Sequence, residues 1–73
     1  MYQYFLGIDI SKDSFDFCFI DSNENLLDKN HYLMSYEDFT NLGDILSSFF
    51  KDEILICIEA TGIYHLNLLS FLL

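Results

Sequence analysis

Two carboxylates stand where a simple buried strand would not place them. Asp9 interrupts the apolar stretch of Gly7-Ile8-Asp9-Ile10-Ser11-Lys12, and Glu59 closes the run before Ala60-Thr61-Gly62-Ile63-Tyr64. An ionised carboxylate in apolar surroundings is costly unless a cation or hydrogen-bond donors satisfy it. A pair of them at strand ends suggests hard oxygen ligands for one or two divalent cations. The competing reading of Asp9 is a cap for the Ser11-Lys12-Asp13 turn, and that of Glu59 is a partner for the start of a following helix.

The elements that must position these groups follow from periodicity. Tyr4 to Ile10 is apolar on both faces until Asp9, the pattern of a central strand covered on both sides. Phe15, Phe17 and Phe19 alternate with Asp16 and Cys18, the period of two of a second strand, and the aromatic row reads as core rather than a base-stacking platform. Asp21 to Asn25 concentrates turn formers, and Leu26 to Leu33 makes a third strand at an edge. Ser35 followed by Asp38 is a helix start, with Phe39, Leu42, Ile45, Leu46, Phe49 and Phe50 as one apolar stripe and Lys51 at the helix end. Ile54 to Ile58 has the β-branched composition of a doubly covered parallel strand ending at Glu59, and Thr61 can cap a second helix. The order is β-β-β-α-β-α, an α/β mixed sheet with strand four parallel to strand one. Ligands gather at the carboxyl ends of parallel strands, where Asp9 and Glu59 both fall.

Composition narrows the classes. Seventy-three residues allow one domain, and 52% hydrophobic content argues for a packed core. Three Lys or Arg against twelve Asp or Glu leave a net charge of −9, the wrong sign for gripping a phosphate backbone by charge alone. Cys18 and Cys57 form no CxxC pattern and read as buried thiols of a reducing compartment. His31 and His65 stand without a second ligand at metal spacing, and the remaining acids read as solvated faces and turns. No signal peptide and no apolar run near a span of ~20 residues is present, so the expected location is cytoplasmic. The leucine-rich stretch Leu66 to Leu73 lacks a capping glycine or polar closing turn, as in a fragment cut within the second helix, and as an exposed surface it would favour self-association into a homo-oligomer.

The motifs GIDISKDSFDFC and, some fifty residues on, IEATGIYH resemble the N-terminal domain of the DEDD transposases of the insertion-sequence-one-ten family, relatives of the pilin-gene invertase. That domain is RuvC-like, with the ribonuclease H fold, and the resemblance covers residues 1–73. It implies that Asp9 and Glu59 are the first two acidic residues of a catalytic tetrad, and that the other two and a serine-bearing C-terminal domain lie beyond Leu73. It further implies DNA strand cleavage and transfer by the parent enzyme dependent on Mg²⁺ or Mn²⁺, DNA as partner, and for some members a guide RNA. Ser11, Lys12, Thr61, Gly62 and Tyr64 are motif positions that would face nucleic acid, although a packing role suits Tyr64 equally. A fragment holding half the tetrad is expected to be inactive alone. Two alternatives remain open: a non-catalytic assembly module of the same fold, and an ATP-binding domain of the sugar-kinase and actin type. The second is disfavoured because Ser11-Lys12-Asp13-Ser14-Phe15 lacks the glycines that let a hairpin backbone approach phosphates.

Overall fold

The computed structural model describes residues 1–60 together with Leu68, Phe71 and Leu72. Its elements are β1 (Tyr4–Ile10), β2 (Ser14–Asp21), β3 (Leu26–Leu33), α1 (Tyr36–Leu46), a short 3-10 turn (Lys51–Glu53) and β4 (Ile54–Ala60). The four strands form one sheet in the order β3-β2-β1-β4, with β1 antiparallel to β2 and parallel to β4. This is the expected mixed α/β sheet, consistent with a ribonuclease H-like fold, and β3 is indeed an edge.

Alternation decides which side chains go inward. Leu6, Ile8 and Ile10 of β1 and Phe15, Phe17 and Phe19 of β2 are buried on one face, and Phe39 and Leu42 of α1 close over them. Aromatic edges stitch the layers: Phe15 lies between Tyr32 of β3 and Phe39 of α1, with centroids 5.8 and 6.1 Å away. Phe19 meets Tyr4 and Phe49 in the same manner.

The start of α1 is capped by Ser35, whose Oγ accepts the Asp38 N–H at 3.2 Å. The Asp38 carboxylate does not return to Ser35. It accepts the Leu33 N–H at 2.7 Å, tying the helix start to the end of β3. The helix is shorter than its apolar stripe. Ser47 donates its N–H to the Gly43 carbonyl and its hydroxyl to the Asp44 carbonyl, ending the helix at Leu46. Phe49 therefore packs from a turn, Phe50 is exposed, and Lys51 belongs to the 3-10 turn instead of the helix end.

Two further expectations are corrected, cover on both faces of the central strands and the burial of the two thiols. Among the described residues only one face of the sheet is covered, so Cys18 and Cys57, which point to the other face, are exposed rather than buried. Leu68 is fully buried in the core, Leu72 packs against it, and the Phe71 ring rests on Tyr36 and Phe39. Leu68 and Leu72 of the 66–73 stretch thus serve the chain's own core, while Phe71 keeps an exposed edge; the rest of the stretch, with His65, lies outside the described residues. Gly43 makes room for that packing, since a Cβ there would meet Phe71 Cε1 at 3.3 Å.

The β2–β3 hairpin turns on Asp21, whose carboxylate accepts the backbone N–H groups of Asn23 and Asn25 at 2.9 Å each. The Asn25 bond chiefly holds its pKa below the ordinary value. Glu24 adopts φ 65°, a left-handed conformation that side chains with a Cβ disfavour. Glu24→Gly should therefore raise stability by about 0.5–1 kcal/mol, read as a higher urea midpoint at unchanged m-value. A lower midpoint would show that the Glu24 side chain contributes more than its backbone conformation costs.

Candidate metal and nucleic-acid site

The inward alternation of Leu6, Ile8 and Ile10 forces Gly7 and Asp9 to the open face of the sheet. The same rule sends Cys57 and Glu59 of β4, Asp16 and Cys18 of β2, and Lys29 and His31 of β3 to that face. Registration then lines them up. Asp9 is the direct partner of Glu59 across the parallel pair and of Asp16 across the antiparallel pair, and Asp16 is the partner of His31. One row running across all four strands reads Glu59, Asp9, Asp16, His31.

Adjacent strands are ~4.8 Å apart, so Asp9 and Glu59 are neighbours within the reach of one ion and its water shell. Both are exposed, and no charged residue is buried among the described residues. Burial is thus not what makes these carboxylates costly. The cost is lateral, because like charges directly opposite on neighbouring strands repel. Next to the row lies an open groove of about 430 Å³, floored by Gly7 and flanked by Cys18 and Cys57, with Asp9, Asp16, Glu59 and Lys29 along it.

Asp16 and His31 are the residues that sequence reasoning passed over. His31 Nδ1 lies 2.8 Å from Asp16 Oδ1, an imidazole–carboxylate hydrogen bond between β3 and β2. Although registration sets three carboxylates side by side, no three His, Cys, Asp or Glu side chains among the described residues converge to hold a metal. Ser11 and Lys12 follow β1 directly. The Ser11 hydroxyl is within 3.2 Å of the Ser14 carbonyl and 3.0 Å of its hydroxyl, closing the turn, and Lys12 is exposed beside it. Thr61, Gly62 and Tyr64 lie outside the described residues.

A family model described as transposase, that of the IS110-type DEDD enzymes, matches residues 6–73. The chain belongs to this transposase family. The matched span takes in β1 from Leu6 onward, β2, β3, α1, β4 and both carboxylate-bearing strand ends, so the fold and the Asp9–Glu59 pairing described above are those of a transposase chain. No curated protein matches it. No helix among the described residues is long and apolar enough to cross a membrane.

Proposed function

We propose that this transposase chain supplies the first two carboxylates, Asp9 and Glu59, of a divalent-metal centre for DNA strand cleavage and transfer. The observation that carries the reading is their registration: direct partners at the carboxyl ends of the parallel strands β1 and β4, on the open face. Residues 1–73 then form the N-terminal part of a RuvC-like domain whose other two acidic residues come from sequence outside this span.

The donor set fits Mg²⁺ or Mn²⁺. Both groups are hard carboxylate oxygens, both are open to solvent, and their mutual repulsion is relieved by a cation between them. When bound, the ion would activate an attacking oxygen and neutralise charge on the leaving one. Asp9 from β1 and Glu59 from β4 are the residues that would hold the ion. Lys12, just past β1, and Lys29, along the groove, are the positive charges that a chain of net charge −9 would offer a DNA phosphate near this site. Where the element encodes a guide RNA, that RNA would share this face. The assembly-module alternative draws nothing from Leu68, which is buried in the chain's own core, and the registered carboxylate pair favours the metal-centre reading over it.

Replacing the metal by Fe²⁺ with ascorbate and peroxide tests the placement, since radicals generated at the ion cut the backbone beside its ligands. Cuts are expected next to Asp9 and Glu59 and should be suppressed by excess Mg²⁺. Cuts confined to other segments, the Asp21 hairpin for example, would place the ion elsewhere.

A further inference from the structure

The row Glu59, Asp9, Asp16, His31 poses a question that the proposed metal centre leaves unanswered. Three carboxylates are in direct register, yet only two are proposed to serve the ion, and no three converge among the described residues. The difference lies in the fourth member. His31 sits across β2 from Asp9, and its Nδ1 takes up Asp16 Oδ1 at 2.8 Å. That contact draws the Asp16 carboxylate toward β3, away from Asp9.

We infer that His31 is a positioning residue that sets the carboxylate count at the Asp9–Glu59 centre, by holding Asp16 on the far side of its strand. The inference rests on the proposed metal centre. Its chemical consequence follows from how Mg²⁺ binds: it keeps several waters and takes one or two carboxylates plus substrate phosphates. A third carboxylate from Asp16 would occupy a position needed for the phosphate or the attacking water, and would add negative charge where a phosphate must approach. His31 thus trades ion affinity for an open coordination sphere. Both side chains are more than half exposed, at 59% for His31 and 66% for Asp16, so releasing Asp16 requires a rotamer change and no repacking of the core.

The test is Mn²⁺ titration of the 73-residue chain, followed by loss of the free-ion electron paramagnetic resonance signal, for wild type, His31→Ala, His31→Ala with Asp16→Asn, and Asp9→Asn. His31→Ala should bind Mn²⁺ about threefold or more tighter, and adding Asp16→Asn should cancel the gain, the signature of coupling through a shared partner. Unchanged affinity in His31→Ala, or a gain that survives Asp16→Asn, overturns the inference while leaving the metal centre in place. Binding untouched by Asp9→Asn would show that the centre itself is misplaced, and both readings would fall.

Discussion

Asp9→Asn should lower DNA cleavage by the transposase carrying this chain about 10²–10³-fold, while making the chain no less stable. The loss follows from the charge removed: metal-borne charge stabilisation in the transition state contributes several kcal/mol, and each 1.36 kcal/mol is about tenfold in rate. Asn keeps the shape of Asp and its place on β1, and the side chain is exposed, so no core volume changes. Stability should move the other way. Asp9 stands between Glu59 and Asp16, and neutralising it relieves like-charge opposition on both sides, a gain of about a few tenths of a kcal/mol at low salt. Opposite signs in the two measurements distinguish a ligand from a structural residue. A DNA-excision assay and a urea midpoint at two salt concentrations read them. Cleavage within tenfold of wild type would remove Asp9 from the mechanism, and a lowered midpoint would make it a turn cap.

Much of this arrangement is visible in the residues themselves, and the exceptions have identifiable causes. The bounds of β1 follow from its apolar run, the start of α1 from Ser35 and Asp38, and the parallel partnership of β1 and β4 from the helix between β3 and β4. Phe49 and Phe50 continue the three-and-four spacing past Leu46, but Ser47 captures the last carbonyls, and periodicity does not register a hydroxyl cap. Cys57 sits in a run whose composition suits cover on both faces, yet its face is open among the described residues. The Asp16–His31 contact was hidden for a different reason. It depends on a register shift between Phe19 and Ile20, where Ile20 pairs with Leu26 and Phe19 with Asp28, leaving Leu27 as the extra residue. Counting back from the hairpin without that bulge would pair Asp16 with Asn30 and send His31 to the other face.

That dependence of the site on strand facing makes the second large effect a core one. Phe15→Ala should destabilise the chain by about 3–5 kcal/mol, the range for removing a fully buried aromatic side chain. Phe15 is 0% exposed and is the ring that joins β2 to both Tyr32 and Phe39, so truncation opens a cavity among β2, β3 and α1 together. Against a total of about 0.05–0.15 kcal/mol per residue, such a loss consumes most of the stability of so short a chain. Phe15→Leu, which retains most of the apolar volume, should cost markedly less. The functional consequence follows from the period of two: Phe15, Phe17 and Phe19 turn inward, and only for that reason do Asp16 and Cys18 turn outward beside Asp9 and Gly7. A urea titration in which Phe15→Ala kept a midpoint near wild type would mean that α1, rather than the aromatic row, fixes the facing of β2. Loss of the folded baseline in Phe15→Ala but not Phe15→Leu would show that the row of carboxylates is held in place by the row of rings behind it.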